Sequence, residues 1–133
     1  MKEPNLEQSV VATISTQLEV QLVILFGSLA TGKWDKESDL DIAVDAGRHL
    51  MVNEKISLIE KLAQQTGRPV DLVDIQSIGE PLLGQILRYG KRILGSDRHY
   101  ARVLCRHLFD QADFLPYRNR ILAERRQAWI GKL

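Results

Sequence analysis

The chain has 133 residues, 18 of them basic and 17 acidic, and its net charge of +1 excludes a general electrostatic attraction to nucleic acid or membrane. Its apolar content of 44% and charged content of 26% exclude a disordered or fibrous protein. This length predicts one domain with a hydrophobic core of useful size.

Charge is distributed unevenly along the chain. Residues 98–133 hold eight basic and three acidic residues, and residues 1–97 have a net charge of −4. This asymmetry predicts that the basic segment meets an acidic surface or a nucleic acid. The one cysteine, Cys105, is expected to be a buried apolar residue, and its inability to form an internal disulfide suits a reducing cytoplasm. We expect no membrane association, because no apolar run approaches the ~20 residues needed to span a bilayer.

Apolar periodicity predicts the elements of the first half of the chain. Leu6, Val10, Ile14 and Leu18 recur every four residues, which indicates an amphipathic helix packed on a sheet. Two apolar runs interrupted by polar turns predict strands, and a second amphipathic pattern follows them. The predicted elements are helix 6–17, strand 20–26, helix 28–33, strand 39–44 and helix 50–66.

The second half continues the alternation of strands and helices. A third strand carries acidic residues at two positions, and a proline at residue 116 predicts a break between two C-terminal helices. The predicted elements are strand 70–75, helix 81–89, edge strand 91–94, helix 98–111 and helix 116–130. This order predicts an α/β fold, in which a small mixed sheet is flanked by helices and followed by a helical tail.

The stretch from residue 22 to 44 contains two carboxylates of chemical interest. Asp39 and Asp41 are two residues apart at the start of a predicted strand, so both project from one face while Leu40 and Ile42 point into the core. Two neighbouring carboxylates repel each other unless a cation lies between them, and Mg²⁺ prefers such oxygen ligands. The alternative is a solvated acidic pair at a strand edge, which is disfavoured between apolar neighbours.

The turn after the first predicted strand supplies a complementary feature. Gly27 allows the backbone to approach a ligand closely, and the Ser28 hydroxyl with the following N–H groups can hold a phosphate. An ordinary strand-ending turn is the alternative interpretation. Together with the carboxylates, however, a phosphate-binding turn indicates phosphoryl or nucleotidyl transfer.

These residues carry a resemblance to a known family. Gly27-Ser28, ten residues and then Asp39-x-Asp41 reproduce the GSx10DxD signature of the polymerase-β-like nucleotidyltransferase superfamily. The chain most resembles the small MNT-type members, the minimal nucleotidyltransferases. These are commonly encoded beside a HEPN-domain toxin and act as its antitoxin.

The resemblance implies a set of site residues and cofactors. ATP is the implied substrate, and two Mg²⁺ ions are the implied metals. A third carboxylate on a neighbouring strand completes the site in the superfamily, and Asp71 and Asp74 are the candidates. Family position favours Asp71, as a metal ligand or as the acceptor of the attacking hydroxyl's proton, whereas Asp74 is expected to end the strand or cap the next turn.

Nucleotide binding is implied for Gly27, Ser28 and Lys33. Relatives often carry arginines directly after the Gly-Ser pair, but this chain has Leu29-Ala30-Thr31 there. Lys33 is the candidate for the missing positive charge, and a solvated surface lysine is the alternative.

The implied function is that of an antitoxin that acts as a Mg²⁺-dependent protein adenylyltransferase. It would transfer AMP to a hydroxyl, with tyrosine as the favoured acceptor, of a cognate HEPN ribonuclease toxin in a hetero-oligomer, without binding nucleic acid directly. We expect residues 1–96 to form the nucleotidyltransferase core and residues 97–133 a helical tail that binds the partner. The alternatives are an antitoxin that only masks its toxin, and transfer to a small molecule or an RNA end.

Overall fold

The computed structural model of the protein describes residues 3–32, 35 and 37–130, with side chains described for 6–32, 35, 37–112 and 120–125. The strands are β1 Leu22–Phe26, β2 Leu40–Asp45, β3 Val70–Asp74 and β4 Lys91–Leu94. The helices are α1 Glu3–Gln17, α2 Ser28–Thr31, α3 Val52–Thr66, α4 Leu82–Tyr89 and α5 Asp97–Ile130, and a 3-10 turn, Ile75–Ser77, follows β3.

The four strands form one mixed sheet in the order β3-β2-β1-β4. β1 runs antiparallel to both β2 and β4, whereas β2 and β3 are parallel. A parallel pair needs a crossover connection, and α3 supplies it. The predicted α/β fold with a small mixed sheet is therefore confirmed, and β4 is the predicted edge strand.

Alternation along the strands places one hydrophobic cluster on each face of the sheet. On one face Val23, Leu40 and Ile42 are fully buried among residues of α1 and α3. On the other face Ile24 and Ala43 lie under α4 and the first turns of α5. The sheet is thus covered on both sides, and only the ends of its strands remain open for a site.

The C-terminal segment differs from the sequence prediction. Asp97–Ile130 is one helix of 34 residues, where Pro116 predicted two. A proline inside a helix costs about 3 kcal/mol, and the many arginine, leucine and alanine residues in this segment favour helix on both sides of it. Despite this length, none of the described helices is apolar enough to be a candidate membrane span.

The first turns of α5 belong to the core rather than to a separate unit. Val103 is 5% exposed, and Tyr100 and Leu104 pack against the same cluster. Cys105 is exposed, so the expectation of a buried cysteine is wrong. The physical reason is helical geometry, since Cys105 lies about 100° beyond Leu104 around the helix and leaves the buried stripe.

Candidate active site

The turn after β1 is held in a conformation that requires glycine. Gly27 has φ 71° and ψ −151° and precedes the short helix α2, whose Ala30 N–H donates to the Gly27 carbonyl at 3.2 Å. A Cβ atom at Gly27 would collide with the carboxylate of Asp41. The absence of a side chain therefore lets the turn lie directly against the second aspartate of the motif.

Asp41 lies at the start of β2 as the sequence predicts, whereas Asp39 directly precedes the strand, which begins at Leu40 rather than at the predicted residue 39. Asp41 is opposite Phe26 in the antiparallel register, so it shares the face that carries α4 and α5. Leu40 and Ile42 are fully buried on the other face, which confirms their predicted core positions. Asp39 is exposed and Asp41 is half-buried, so both can meet a ligand from solvent.

Asp71 lies beside Asp41 across the parallel strand pair. The register matches Asp41 with Asp71, and Asp71 is exposed. Burial raises the pKa of the Asp41 carboxyl above its ordinary value, and the negative charges of Asp71 and Asp39 raise this pKa further. The structure therefore brings three carboxylates within electrostatic reach at one end of the sheet, and Asp41 lies against the glycine turn.

Asp74, the other candidate for the third carboxylate, has a different environment. It is 3% exposed and accepts hydrogen bonds from the Leu50 N–H at 2.9 Å, the Gln76 N–H at 3.1 Å and the Ser77 hydroxyl at 2.9 Å. These bonds make Asp74 the cap of the turn after β3, as the sequence predicts. It lies at the opposite end of β3 from Asp71, and its two carboxylate oxygens already accept these three hydrogen bonds.

Sequence reasoning missed a contact that supports the loop before Asp39. Arg68 Nη1 donates to the backbone carbonyls of Asp35 and Ser38, both at 2.8 Å. The Leu40 N–H donates to the Pro69 carbonyl at 2.8 Å, so the segment before β3 holds the segment before β2. In the sequence, Arg68 is a single arginine in a Gly-Arg-Pro turn. Only its position directly before a predicted strand could have indicated that it supports this loop.

Not every predicted nucleotide-binding residue can be placed. Lys33 lies outside the described residues, as does Trp34 in the same loop. Ser28 opens α2 and is half-buried, and within the described part of the chain its hydroxyl makes no hydrogen bond. Its backbone carbonyl accepts from the Thr31 hydroxyl at 3.2 Å.

The donor set fits a hard divalent cation. Burial raises the pKa of Asp41, and the charges of Asp71 and Asp39 raise it further, so a divalent cation bound here would favour the ionised carboxylate. Mg²⁺ typically takes one or two protein carboxylates together with phosphate oxygens and waters. In the described residues no three acidic, histidine or cysteine side chains form a ready-made metal cage, so the phosphates would complete the coordination.

Comparison with known proteins supports a nucleotidyltransferase. The family model for polymerase β nucleotidyltransferases matches residues 8–99, which include the turn and all three carboxylates. MntA of Shewanella oneidensis, named as a protein adenylyltransferase, is 38% identical over 80 residues. The chain spans 58% of MntA in that alignment, which covers 60% of the chain itself.

Solved structures extend the likeness over most of the chain. A toxin–antitoxin crystal structure with AMP-PNP contains a chain with a TM-score of 0.80 and 28% identity, matched over 89% of this chain and 96% of that one. A second structure, the tri-AMPylated HEPN toxin of Shewanella oneidensis in complex with MNT antitoxin, gives a TM-score of 0.77 at 25% identity, over 92% and 97% of the two chains. With more than half of its length matched by the family model, this chain belongs to the polymerase β nucleotidyltransferase family.

Proposed function

We propose that this protein is the antitoxin of a toxin–antitoxin pair and acts as a Mg²⁺-dependent protein adenylyltransferase on a cognate HEPN ribonuclease toxin. The observation that carries the proposal is the grouping of Asp39 and Asp71 around Asp41, whose carboxylate lies against the Gly27 turn. Two similar proteins support a protein, rather than a small molecule, as the acceptor of AMP. One is a protein adenylyltransferase, and the other is an MNT antitoxin bound to an AMPylated HEPN toxin. The reaction takes place in the cytoplasm, where ATP and the RNA substrates of such a toxin are found.

The proposed reaction is a single displacement at the α-phosphorus of ATP. The oxygen of a toxin hydroxyl, a tyrosine by family resemblance, forms a new bond to that phosphorus. The bond from the α-phosphorus to the oxygen that bridges to the β-phosphorus breaks, and pyrophosphate leaves. Asp71 is exposed at the outer side of the carboxylate cluster, where it accepts the hydroxyl proton.

The residues of the chain position the reactants. Ser28 and the backbone of its turn bind the phosphates, and Asp39 and Asp41, with Asp71, would hold two Mg²⁺ ions. When bound, the metal would neutralise the negative charge of the phosphates and align the attacking and leaving oxygens. Catalysis by positioning and charge neutralisation needs no nucleophile on the protein.

The helical tail offers a surface for the toxin. Among the described side chains of α5, the exposed large apolar residues are Leu108 at 53%, Phe109 at 72% and Leu122 at 50%, and they lie on a helix rich in arginine. Leu108 and Phe109 are neighbours, and a contiguous exposed apolar patch bordered by charged residues is typical of protein contacts. We therefore propose that residues 1–96 form the catalytic core and that residues 97–133, a helical tail of the same domain whose first turns pack on that core, bind the toxin in a hetero-oligomer.

Mass spectrometry of the toxin tests this proposal. The candidate toxin is the product of the adjacent gene, and it is incubated with the antitoxin, MgCl₂ and ATP. We expect its mass to increase by one or more AMP groups and its ribonuclease activity to fall. The Asp39→Ala, Asp41→Ala double variant should leave the toxin mass unchanged, whereas Glu60→Ala, an exposed acid on α3, should behave as the unaltered protein.

The same experiment separates catalysis from masking. A toxin that is inhibited without a change in mass, by both the unaltered antitoxin and the double variant, would contradict the proposal and support inhibition by binding alone. Transfer of AMP to a small molecule or an RNA end, with the toxin unmodified, would contradict the protein acceptor.

A further inference from the structure

We infer that the acceptor segment of the toxin binds as an added β-strand along the outer edge of β3; this inference rests on the proposed function. β3 is the last strand of the sheet, and within the described part of the chain it pairs only with β2. An edge strand presents backbone N–H and C=O groups with which an extended peptide can pair. Because β3 also carries Asp71, a strand bound there would bring its side chains directly beside the carboxylates.

The pairing with β2 determines which backbone groups of β3 point outwards. The Leu40 N–H donates to the Pro69 carbonyl at 2.8 Å, at the beginning of the parallel register. Backbone direction alternates along a strand, so the N–H and C=O groups of Asp71 face β2, and those of Val70 and Leu72 face outwards. Among the described residues no group bonds to these outward-facing groups. Pairing positions for another strand therefore lie on both sides of Asp71.

The other edge of the sheet is protected against strand addition, whereas the edge at β3 is not. β4 begins with Lys91 and Arg92, and its pairing with β1 is interrupted by a register shift. Charged side chains and bulges are common means by which an edge strand avoids pairing with another chain. The register of β2 and β3 continues without a shift over the five residues of β3, which contain no lysine, arginine or proline. The two acids of β3 have other roles, one in the candidate site and one in the cap of the next turn.

Side-chain alternation defines how an added strand would meet the site. Asp71 lies on the same face of the sheet as Asp41, whereas Val70 and Leu72 pack against the cluster beneath α1 and α3. A residue opposite Asp71 on the added strand would have its Cβ atom about 5 Å from that of Asp71. Its hydroxyl would thus approach the carboxylates from the side that neither β2 nor the Gly27 turn occupies.

The flank of α3 above this edge can receive the alternate side chains of the added strand. The Ser57 hydroxyl donates to the Gln17 side chain of α1 at 3.4 Å, which marks the flank of α3 that faces α1. Ile59 and Ala63 are about 160° and 120° away from Ser57 around the helix, and both are only half-buried. Since α1 packs towards β4 and α3 packs on β3, this second flank lies towards the outer edge of β3. The partner is therefore an extended segment in which the hydroxyl-bearing residue has apolar neighbours.

Amide hydrogen exchange at single-residue resolution tests this inference on the complex of the protein with intact toxin. The complex also holds MgCl₂ and α,β-methylene-ATP, which cannot release pyrophosphate. We expect the outward-facing amide of Leu72 to exchange at least about tenfold more slowly in the complex than in the protein alone, because it gains a hydrogen bond. The amide of Asp71, which already faces β2, should be slow in both samples. A Leu72 amide that exchanges equally fast in both, or an equal slowing along β4, would overturn the added strand.

A pair of neighbouring variants tests the flank of α3. Ala63→Asp places a charge where the added strand would bury it, whereas Gln64→Asp places the same charge at an exposed position. We expect Ala63→Asp to raise the KM for the toxin about tenfold, the effect of one buried unpaired polar group, and Gln64→Asp to leave it unchanged. The affinity for ATP should be unaltered in both variants. Equal KM values in two folded variants would overturn the contact, and the exchange experiment decides alone if Ala63→Asp does not fold.

Mass spectrometry of the toxin after incubation with ATP separates this inference from the proposed function. Transfer of AMP to a toxin that does not protect the Leu72 amide would overturn the added strand and leave the proposed function intact. A toxin that receives no AMP would overturn the proposed function itself.

Discussion

Gly27 shows how one residue couples the backbone to the chemistry. Its φ of 71° is rarely adopted by residues with a side chain, and a Cβ atom there would strike the Asp41 carboxylate. We predict that Gly27→Ala destabilises the protein by about 1–3 kcal/mol through backbone strain. Displacement of Asp41 should also lower the rate of AMP transfer about 100-fold, the usual effect of a 1 Å error near the reacting atoms.

Gly67 provides a matched control for this substitution. It ends α3 with φ 67°, nearly the same as Gly27, but no atom lies within 4 Å of a Cβ built on it. Gly67→Ala has milder strain, because its ψ of 22° is ordinary left-handed backbone whereas the ψ of −151° at Gly27 is confined to glycine, and it has no collision. Urea denaturation should show a smaller loss of stability for Gly67→Ala than for Gly27→Ala, and only Gly27→Ala should lose transfer activity. Equal activity losses in the two variants would show that the contact with Asp41 is unimportant.

Asp41 illustrates how a partly buried carboxylate in the candidate site reduces stability. Burial, Asp71 and Asp39 all raise its pKa above the ordinary value of 3.8. A folded-state pKa that is raised means that the folded protein binds the proton more readily than the unfolded chain does. The free energy of unfolding therefore falls as the pH rises from 3.8 through the raised pKa, and the ionised carboxylate continues to destabilise the metal-free protein above it.

We predict that Asp41→Asn raises the melting temperature of the metal-free protein at pH 7. For a partly exposed charge, the gain in free energy is at most about 1 kcal/mol, which corresponds to about 2–4 °C. Thermal melts should show this gain disappearing below pH 3.8, and MgCl₂ should stabilise the unaltered protein but not the variant. A lower melting temperature for the variant at pH 7 would contradict the electrostatic explanation.

Among the elements, the loop before β2 depends on a contact from the start of β3. Arg68 donates to two carbonyls of this loop, immediately before Asp39. We predict that Arg68→Ala lowers kcat/KM for AMP transfer about tenfold, because hydrogen bonds from a charged group are worth about 1.5–3 kcal/mol and here hold the loop that carries Asp39, a proposed metal ligand. Steady-state kinetics with varied MgCl₂ measure this effect, and high MgCl₂ should restore part of the activity.

Arg48 is the matched control for Arg68. It follows β2 at the other end of the strand and pairs with Glu54, with both nitrogen–oxygen distances at 2.8 Å. The Arg48 guanidinium lowers the pKa of Glu54 to about 2, so Arg48→Ala removes a real interaction, but one remote from the site. Its kcat/KM should be unchanged. A loss as large as that of Arg68→Ala would indicate a general effect on stability.

The sequence predicts those elements whose formation depends on neighbouring residues, and it does not predict contacts between residues that are far apart in the chain. Apolar runs predict β1 and β2 because side-chain alternation and burial act within a few residues. The pairing of Asp41 with Asp71 depends on the parallel register of two strands separated by α3, and no local pattern encodes it. The contacts of Arg68 are non-local for the same reason, whereas the continuity of α5 through Pro116 reflects helix propensity summed over many residues.

At the scale of the whole molecule, the two faces of the sheet differ in what covers them and in their distance from the candidate site. α1 and α3 close one face with a continuous hydrophobic cluster. α4 and the start of α5 close the other face but leave the strand ends open, which is where Gly27, Asp41 and Asp71 lie. Because α5 continues far beyond these contacts, the face that carries the site also carries the surface proposed for the toxin.

This arrangement predicts that one substitution on α5 separates toxin binding from nucleotide binding. Phe109 is 72% exposed, so Phe109→Asp should leave the melting temperature and the affinity for ATP unchanged. Loss of an aromatic anchor from an interface typically costs 2 kcal/mol or more, so we expect toxin affinity to fall about thirty-fold. Ile56→Asp is the control, because Ile56 is 51% exposed on α3, on the opposite face of the sheet. Surface plasmon resonance with immobilised toxin measures both variants, and equal affinities for Phe109→Asp and Ile56→Asp would exclude this part of α5 from the interface.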